Sequence, residues 1–460
     1  MLTDLSIAEI IQPKRDYFLT GKTKDINFRL QQLKILKQLV DENETPIIKA
    51  LQADLHKPEL EAFTSEIILI KKEIESAIKN LKNWTRPHKI AVPWQLWPAS
   101  AKVQPEPLGV VLIIGAWNYP FNLVIAPLVG AIAAGNCALI KPSEISVNTS
   151  HLLAELISQY FDSHYISVIS GGVETSQKLL AEKFDHIFFT GSPHIGKIVM
   201  ESAAKHLTPV TLELGGKNPC IVDADIHLEH TARRITWGKF FNAGQSCVAP
   251  DYLLVDRKIK DKLLENIKKC LQEFFGNNPA ISPDYGRIIN QKHFNRLISL
   301  LENGQIVIGG ESNSDQLYIA PTIINNVSLT DAIMQEEIFG PILPIIEYTN
   351  IEEALNLINS QPKPLALYLF SQNPNLQQQV LQNTSSGAFG INETVIHFTI
   401  SALPFGGVGN SGIGKYHGKA SFETFSHYKS VLKNPFWLDI KLRYAPYKGK
   451  LSIFRQIFKF

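Results

Sequence analysis

The chain has 460 residues, of which 45% are hydrophobic and 19% charged, and a formal net charge of +2. This length exceeds one ordinary domain, and the near-neutral charge argues against a nucleic-acid partner. Four widely spaced cysteines show neither paired metal-ligand spacing nor the density of a disulfide scaffold. We therefore predict a globular protein of about two or three domains in a reducing, cytoplasmic compartment, without a bound metal.

Residues 23–84 have helical periodicity, with apolar residues at every third or fourth position in two stretches, 26–40 and 63–81. Pro46 and Pro58 are expected to mark the breaks between these helices. The amino terminus carries acidic residues and lacks an uninterrupted apolar core, so we predict a helix there and not a secretory signal. No apolar run approaches the roughly 18 residues of a membrane span.

The segment 86–107 differs in composition, because it contains five prolines and two tryptophans. Proline lacks a backbone N–H and is disfavoured in helix interiors and central strands. We therefore expect neither element here. The segment is predicted to be an extended arm that leaves the main body and serves in subunit contact.

Strand and helix patterns alternate after this arm. With helices between them, strands are predicted at 110–115, 137–142, 165–171 and 186–192, and the first of them is a continuous apolar run. This alternation predicts a doubly wound parallel sheet that binds ligands at the carboxyl ends of its strands. A second α/β region is expected from residue 211, with strands at 252–256 and 365–371.

No G-x-G-x-x-G fingerprint follows any of these strands, so dinucleotide binding requires other groups. Thr190, Gly191 and Ser192 form a short turn into a helix whose free backbone amides are suited to a pyrophosphate. Lys141 and Glu144 follow the second strand, where an ammonium and a carboxylate are able to hydrogen-bond ribose hydroxyls. A solvated loop edge is the alternative interpretation of this lysine and glutamate.

The stretch FNAGQSCVAPDY places Cys247 among small and amide-bearing residues. A thiol reacts as a thiolate, so a nucleophilic cysteine is expected in an environment that lowers its pKa. Gly244 and Ser246 are expected to leave room for a substrate, and Asn242 and Gln245 to fix the loop by hydrogen bonding. The alternative is a small buried hydrophobe.

Two further residues are candidates for the same chemistry. Glu213 lies between two leucines and before two glycines, where partial desolvation raises a carboxyl pKa and suits a general base. An ion pair with Lys217 is the alternative. Asn118 lies on the turn after the first strand, where a primary amide is able to donate to an oxyanion.

Seven motifs, taken together and in this order, resemble the aldehyde dehydrogenase superfamily over nearly the whole chain. They are GAWNYPFN, LIKPSE, FFTGS, LELGGKNP, NAGQSCVAPDY, QEEIFGP and PFGGVGNSGIGKYHGKASFETFSH. Within the superfamily, the chain is similar to the short class 3 group, which includes the fatty aldehyde dehydrogenases. The resemblance implies oxidation of an aldehyde to a carboxylic acid through a thiohemiacetal and a thioester.

The resemblance implies that Cys247 is the nucleophile, that Glu213 is the general base, and that Asn118 and the backbone amide of Cys247 form the oxyanion hole. It also implies NAD or NADP as cofactor, and the carboxylate of Glu144 favours NAD because it repels the 2′-phosphate. The cofactor-binding set is predicted to comprise Trp117, Lys141, Glu144, Gly191, Ser192, Glu337 and Phe339.

The fold class expected from these features is α/β, with an atypical Rossmann sheet, a second α/β catalytic domain and a small β oligomerisation arm. The dinucleotide domain is predicted at 1–85 and 108–210, the catalytic domain at 211–420, and the arm with the carboxyl-terminal tail at 86–107 and 421–460. The resemblance implies a homodimer.

Four aromatic residues near the motifs indicate an apolar substrate tunnel, namely Tyr119, Trp237, Phe241 and Phe398. Plain core packing is the alternative for each of them. A tunnel of this kind suits medium-chain or long-chain aliphatic aldehydes or apocarotenals.

The carboxyl-terminal residues Ile453, Phe454, Ile457 and Phe458 share one helical face flanked by basic residues, as in a helix that lies on a membrane surface. The segment is too short to span a bilayer. A terminal helix that covers the tunnel or packs on a partner subunit is the alternative.

Three other functions are compatible with parts of this pattern. A CoA-acylating dehydrogenase shares the first half-reaction, but Glu213 provides water with a base. A cysteine thioesterase or esterase needs no nicotinamide cofactor. A non-catalytic binding protein is expected to have lost Cys247 or Glu213, and both are present.

Overall fold

The computed structural model describes residues 7–457. Its α-helices are α1 (Ile7–Leu19), α2 (Ile26–Glu42), α3 (Glu44–Leu55), α4 (Glu59–Ala62), α5 (Ile68–Trp84), α6 (Asn122–Ala134), α7 (Val147–Tyr160), α8 (Val173–Ala181), α9 (Pro193–Ala204), α10 (Leu228–Phe240), α11 (Lys260–Phe275), α12 (Gln291–Leu300), α13 (Ala332–Gln335), α14 (Ile351–Ser360), α15 (Pro374–Asn383), α16 (Gly418–Thr424) and α17 (Lys450–Ile457). Its strands are β1 (His88–Ile90), β2 (Ser100–Pro107), β3 (Val110–Ile114), β4 (Cys137–Lys141), β5 (Ile166–Val168), β6 (His186–Gly191), β7 (Val210–Leu214), β8 (Pro219–Val222), β9 (Tyr252–Asp256), β10 (Gln305–Ile308), β11 (Ser312–Asn313), β12 (Tyr318–Ile319), β13 (Thr322–Asn325), β14 (Ile342–Tyr348), β15 (Ala366–Phe370), β16 (Ala388–Ile391), β17 (Gly412–Ile413) and β18 (Ser426–Lys433).

The amino-terminal helices bury the apolar positions that their periodicity predicts, and α2 begins where the Asp25 carboxylate accepts two backbone N–H bonds. The helix break expected at Pro46 lies instead at Asn43. Pro46 occupies the first turn of α3, where a backbone N–H has no hydrogen-bond partner within the helix, so proline is tolerated there. Between α4 and α5 the chain forms one π-helical turn, Phe63–Ile67.

A six-stranded sheet forms the first α/β layer, in the order β17-β7-β6-β3-β4-β5. Strands β3 to β7 are parallel, and β17 pairs with β7 antiparallel. Every residue of β3 and β4 is buried, as expected of strands covered by helices on both faces. The chain leaves β3 toward β4 on one side and returns through β6 on the other, so a ligand crevice is expected between the carboxyl ends of β3 and β6.

A seven-stranded sheet forms the second α/β layer, in the order β10-β13-β14-β9-β8-β15-β16. Its strands are parallel except at the edge, where β10 pairs antiparallel with β13. The second layer begins at β8 and not at residue 211, because β7 pairs with β6 in the first sheet. Periodicity reports that a strand is buried but not which sheet it joins. The expected α/β class with a doubly wound parallel sheet is confirmed.

The described residues divide into two compact units, one of residues 7–84 and 107–427 and a smaller one of residues 85–106 and 428–457. The smaller unit contains a three-stranded sheet in the order β1-β2-β18, so the expectation that segment 86–107 contains no central strand is wrong. Strand β1 pairs with residues Ala101–Val103 of β2. Pro105 and Pro107 lie outside this paired stretch, so their missing N–H groups remove no hydrogen bond to β1.

Helix α17 closes the described part of the chain, and Leu451, Ile453 and Ile457 on it are exposed. Phe458, predicted to belong to the same apolar face, lies outside the described residues. Among residues 7–457, none of the helices combines the length and hydropathy needed to cross a membrane.

Candidate active site

Three of the predicted site residues meet at the carboxyl edge of the first sheet. Asn118 follows β3, Ser192 follows β6, and Glu213 is the penultimate residue of β7. Parallel neighbouring strands end at the same edge, so these side chains surround one crevice. A cavity of about 500 Å³ lies there, and its walls include Asn118, Ser192, Glu213 and Cys247.

The loop that carries Cys247 is held in an unusual backbone conformation. Asn242, Ala243 and Gly244 have φ values of 52°, 51° and 74°, in the left-handed region. A Cβ at Gly244 would lie 2.3 Å from the carbonyl oxygen of Gly340, so only glycine fits here. Gly244 therefore allows close backbone packing, whereas the sequence argument expected it to leave room for a substrate.

Side-chain amides hold this loop, as the sequence predicts. Gln245 donates to the backbone oxygens of Asn242 at 3.1 Å and Arg287 at 2.9 Å, and accepts from the Ile289 N–H at 3.0 Å. Asn218 donates to the carbonyl oxygen of Cys247 at 2.7 Å. The backbone on both sides of the thiol is thereby fixed.

Asn118 contacts the Cys247 loop directly. Its Nδ2 donates to the carbonyl oxygen of Gln245 at 3.2 Å, and its own carbonyl oxygen accepts from Asn242 Nδ2 at 3.0 Å. A primary amide has two N–H groups, so one remains for a ligand in the cavity. These bonds hold Asn118 against the Cys247 loop, although the two residues are more than a hundred positions apart in sequence.

Glu213 is buried, and neither of its carboxylate oxygens has a hydrogen-bond partner among the described residues. Burial raises its pKa well above the usual value for a glutamate. The alternative ion pair with Lys217 is wrong, because the ammonium of Lys217 binds the carboxylate of Asp251 at 2.5 Å. A proton-accepting group without a protein partner is thus available at the cavity wall.

The thiol of Cys247 is half-buried, and its pKa is raised and not lowered as the sequence argument expected. Burial is the main cause, and the carboxylates of Glu337 and Glu213 raise it further, while the backbone N–H groups of Cys247 and Val248 act in the opposite direction. The thiol is therefore less acidic here than that of an exposed cysteine.

Substitution Glu337→Gln is expected to lower the pKa of the Cys247 thiol, because it removes a like charge from beside the thiolate. Burial raises the pKa of Glu337 itself to about 8, so the difference should be small at neutral pH and grow as the pH rises through 8. The measurement is the rate of Cys247 alkylation by iodoacetamide against pH, followed by peptide mass spectrometry. Glu336→Gln, at the exposed neighbouring position, is the matched control, and coincident profiles for Glu337→Gln and the unsubstituted protein would contradict the prediction.

The large cavity has the groups that a dinucleotide needs. Helix α9 begins at its wall, with the Ser192 hydroxyl as N-cap and Pro193 in the first turn, so backbone N–H groups and the helix dipole face an anion. The buried oxygens Thr190 Oγ1 and Glu337 Oε1 have no partner among the described residues. Buried polar atoms normally have partners, so these atoms fit a polar ligand in the cavity.

The remaining cofactor candidates are spread along this crevice. Gly191 ends β6 and Ser192 follows it, and Trp117 packs nearly perpendicular to Phe339 with ring centroids 5.2 Å apart. Lys141 and Glu144 contact each other at the carboxyl end of β4, one strand beyond β3, outside the walls of the large cavity. Both residues lie at the same edge of the first sheet, which the predicted hydrogen bonds to a cofactor ribose require.

Lys217 and Asp251, which were not predicted as site residues from the sequence, hold the segment that contains Glu337 and Phe339. Lys217 Nζ donates to the carbonyl oxygens of Ile333 at 2.7 Å and Glu336 at 2.9 Å, and Asp251 accepts from the Ile338 N–H at 2.9 Å. Both residues lie inside the motifs LELGGKNP and NAGQSCVAPDY, so a charged residue within a glycine-rich motif was the available signal.

A second cavity of about 50 Å³ lies on the other side of Cys247, and Glu213 and Cys247 line both cavities. Tyr119 and Phe398 line the second cavity. Phe241 packs with Tyr119 in a small apolar cluster, and Trp237 contacts Phe241 at 5.2 Å between ring centroids, but neither Trp237 nor Phe241 is a wall residue of these two cavities.

A thiol, an amide and a buried carboxylate face one another where a nucleotide-sized crevice meets a smaller apolar cavity. A protein so arranged is able to bind a carbonyl carbon covalently and to place it beside a dinucleotide, which defines the class of cysteine-dependent dehydrogenases.

Comparison with known proteins identifies the family within this class. A profile of the aldehyde dehydrogenase family matches residues 4–431. The dimeric NADP-preferring aldehyde dehydrogenase of Canis lupus familiaris is 49% identical over 97% of this chain and 99% of its own. Aldehyde dehydrogenase family 3 member A2 of Rattus norvegicus is 52% identical over 95% of this chain and 90% of its own. The 4,4′-diaponeurosporen-aldehyde dehydrogenase of Staphylococcus aureus is 49% identical over 98% and 99%.

A solved structure of Staphylococcus aureus AldH in a substrate-bound state has a TM-score of 0.97 and 48% identity, and the match covers 99% of this chain and 100% of that one. The chain belongs to the aldehyde dehydrogenase family. It is an oxidoreductase that oxidises aldehydes with NAD or NADP, so the predicted family, activity and cofactor class are confirmed.

Proposed function

We propose that Cys247, Asn118 and Glu213 carry out the two halves of this oxidation. The observation that supports the assignment is the larger cavity, whose walls include the thiol, the amide and a carboxylate without a partner among the described residues. The thiol and the carboxylate also line the smaller cavity. Each residue has a chemical property that one step needs.

Cys247 releases its thiol proton to solvent and adds to the aldehyde carbon as the thiolate, so that the C–S bond forms while the C=O π electron pair moves to oxygen. The carbonyl oxygen becomes an oxyanion, which accepts hydrogen bonds from Asn118 Nδ2 and the Cys247 backbone N–H. A donor of this kind typically contributes about 3 kcal/mol to the transition state. The C–H bond of the thiohemiacetal then breaks with loss of a hydride while the C=O bond reforms, which gives the thioester. NAD or NADP, when bound, would supply the hydride acceptor, and Trp117, Ser192, Glu337 and Phe339 would hold it.

Glu213 then accepts a proton from a water molecule that attacks the thioester carbon, and the C–S bond breaks to release the carboxylic acid and the thiol. Because its carboxylate has no partner among the described residues, it is free to bind that water. Its raised pKa makes it a stronger base than an exposed glutamate.

NAD is the cofactor that we propose to be favoured. Glu144 is half-exposed beside Lys141, where a carboxylate accepts hydrogen bonds from ribose hydroxyls and repels an additional phosphate. One relative is named NADP-preferring, so the ratio of kcat/KM for NAD and for NADP is the quantity to measure.

We propose medium-chain or long-chain aliphatic or polyene aldehydes as substrates. Apolar and aromatic residues such as Leu123, Leu365, Phe398 and Phe405 line the smaller cavity. Burial lowers the pKa of His417, on the same wall, to about 4, so the imidazole is neutral at physiological pH. One relative is named 4,4′-diaponeurosporen-aldehyde dehydrogenase.

A series of aldehydes of increasing chain length tests this proposal. We expect kcat/KM, measured by NADH formation, to rise with each added methylene up to the length of the tunnel, because each buried CH₂ contributes about 0.8 kcal/mol. A charged aldehyde of equal length is the control and should be a poor substrate. A flat series, or preference for the charged aldehyde, would contradict the proposed substrate class.

We also propose the division into dinucleotide domain, catalytic domain and oligomerisation arm, with the smaller unit in a homodimer interface. Trp94, Trp97, Phe436 and Trp437 of this unit are exposed apolar residues, which are typical of a contact surface. One relative is named dimeric. Membrane contact by α17 stays a prediction that co-sedimentation with liposomes tests, with a chain ending at Gly449 for comparison.

A further inference from the structure

A buried ion pair lies under the loop that carries Asn118. The side chains of Lys57 and Glu66 are both 0% exposed and contact each other directly. Burying two charges costs several kcal/mol in desolvation, so such a pair is a weak source of stability compared with apolar residues of similar volume. The stability of the fold is therefore not a sufficient reason for its presence.

Both partners direct their remaining hydrogen-bonding capacity at the loop between β3 and α6. Lys57 Nζ donates to the carbonyl oxygen of Asn118 at 3.1 Å. Glu66 Oε2 accepts from the backbone N–H of Phe121 at 2.9 Å and of Asn122 at 3.2 Å. Lys57 Nζ also lies 4.3 Å from the centre of the Tyr119 ring, a cation–π contact. The pair thus holds the loop at its middle and at its carboxyl end.

These bonds decide where the Asn118 side chain lies relative to Cys247. The carbonyl oxygen of Asn118 has only two partners among the described residues, Lys57 Nζ and Asn242 Nδ2. The Asn118 amide in turn donates to Gln245, two positions before the thiol. Without Lys57, the carbonyl oxygen of Asn118 would keep only one of these two hydrogen bonds, the one from Asn242.

The π-helical turn supplies the other half of the pair. Glu66 and Ser65 lie within Phe63–Ile67, and the Ser65 carbonyl oxygen accepts from Asn122 Nδ2 at 2.9 Å. A π-turn adds one residue to the helix, which changes the direction of the side chains around it by roughly 100°. Such turns are frequent at functional sites, and this one places two acceptors under a single loop.

We propose that Lys57 and Glu66 are positioning residues that fix the oxyanion-binding amide of Asn118 next to Cys247. This inference rests on the proposed function of Asn118. The pair touches neither the aldehyde nor the cofactor, and neither residue is a wall residue of the two cavities. Lys57 bonds Asn118 directly, and Glu66 acts on it through Lys57 and through the backbone of Phe121 and Asn122.

The test is a mutant cycle with the rate of single-turnover NADH formation as readout. Lys57→Met removes the donor, and the pair Lys57→Met/Glu66→Gln does so without leaving an unpaired charge, while the new carboxamide oxygen still accepts from the loop amides. We expect either variant to lose about tenfold or more in this rate, with NAD affinity within about twofold of the unsubstituted protein. In an Asn118→Ala background, the same substitutions should add less than about twofold, because the residue through which they act is absent.

Lys14→Met is the matched control, since Lys14 is also a buried lysine that donates to a backbone carbonyl, that of Ser163, away from the site. It should keep the unsubstituted rate. Circular dichroism shows whether Lys57→Met folds; if it does not, the double variant Lys57→Met/Glu66→Gln is measured in its place. If the double variant also fails to fold, Glu66→Gln alone is measured, and its rate should be several-fold lower than that of the unsubstituted protein.

The outcomes separate the two proposals. An unchanged rate in the folded Lys57 or Glu66 variants, or losses that multiply with that of Asn118→Ala, overturns the positioning role and leaves the proposed function standing. An unchanged rate in Asn118→Ala removes the oxyanion assignment itself.

Discussion

Replacement of Cys247 by alanine should reduce aldehyde oxidation by more than about 10⁴-fold while NAD binding is retained. In the proposed mechanism the thiol forms the bond to the aldehyde carbon. Among the described residues, Thr190 has the only other hydroxyl or thiol that lines both cavities, and its hydroxyl has no hydrogen-bond partner to act as a base. The cofactor crevice is formed by other residues, so its affinity should change little. Steady-state NADH formation measures the first quantity, and quenching of tryptophan fluorescence by NAD the second, because Trp117 lines the crevice.

Cys270→Ala provides the matched control for this substitution. Cys270 is buried on α11 and is not a wall residue of either cavity, so activity should remain at the unsubstituted level. Appreciable turnover by Cys247→Ala would contradict the covalent mechanism. Loss of NAD binding in the same variant would instead show that the substitution disturbs the crevice.

The second large effect is expected for Glu213→Gln. The carboxamide has nearly the same shape but accepts no proton, so the thioester should form and then hydrolyse slowly. We expect a burst of about one NADH per active site followed by a steady-state rate lower by about 10²- to 10⁴-fold. Rapid-mixing absorbance measures the burst, and the mass of the intact protein after quenching reports the acyl group on Cys247.

The pH dependence gives an independent check on Glu213. Only its ionised form accepts a proton, and burial places its pKa well above the usual value, so the hydrolysis rate should rise with pH through that raised pKa. Glu213→Gln should lose this dependence. A variant with no burst, or with unchanged steady-state turnover and pH profile, would assign the base to another residue. Faster turnover on addition of CoA to the unsubstituted protein would support the acylating alternative.

Much of the fold could be predicted because buried parallel strands have a strong signature. Strands β3, β4 and β9 are continuous apolar runs, and the structure has them within one residue of the predicted bounds. The sheet that each strand joins was not predictable in the same way. Strand β7 belongs to the first sheet through its pairing with β6, and a local pattern contains no information on that partner.

The chemical groups of the site could be named from sequence, but their electrostatics could not. Cys247, Asn118 and Glu213 lie in short motifs with distinctive composition, whereas the raised pKa of the thiol depends on burial in the folded chain and on Glu337, which is remote in sequence. Lys57 and Glu66 escaped notice for a related reason. A helical pattern is identified from its apolar positions, and charged residues between them are assumed to face solvent, while these two are fully buried.

The edge strand β17 has a consequence for how the enzyme is made in the cell. Gly412 pairs with Glu213, so the strand that carries the proposed general base gains its last neighbour only from a segment that follows both α/β layers in sequence. A ribosome must therefore translate both layers before that pairing is able to form. Contacts of such long sequence separation form late in folding. A nascent chain consequently contains its reactive cysteine well before the strand that completes the sheet beside its base has been synthesised.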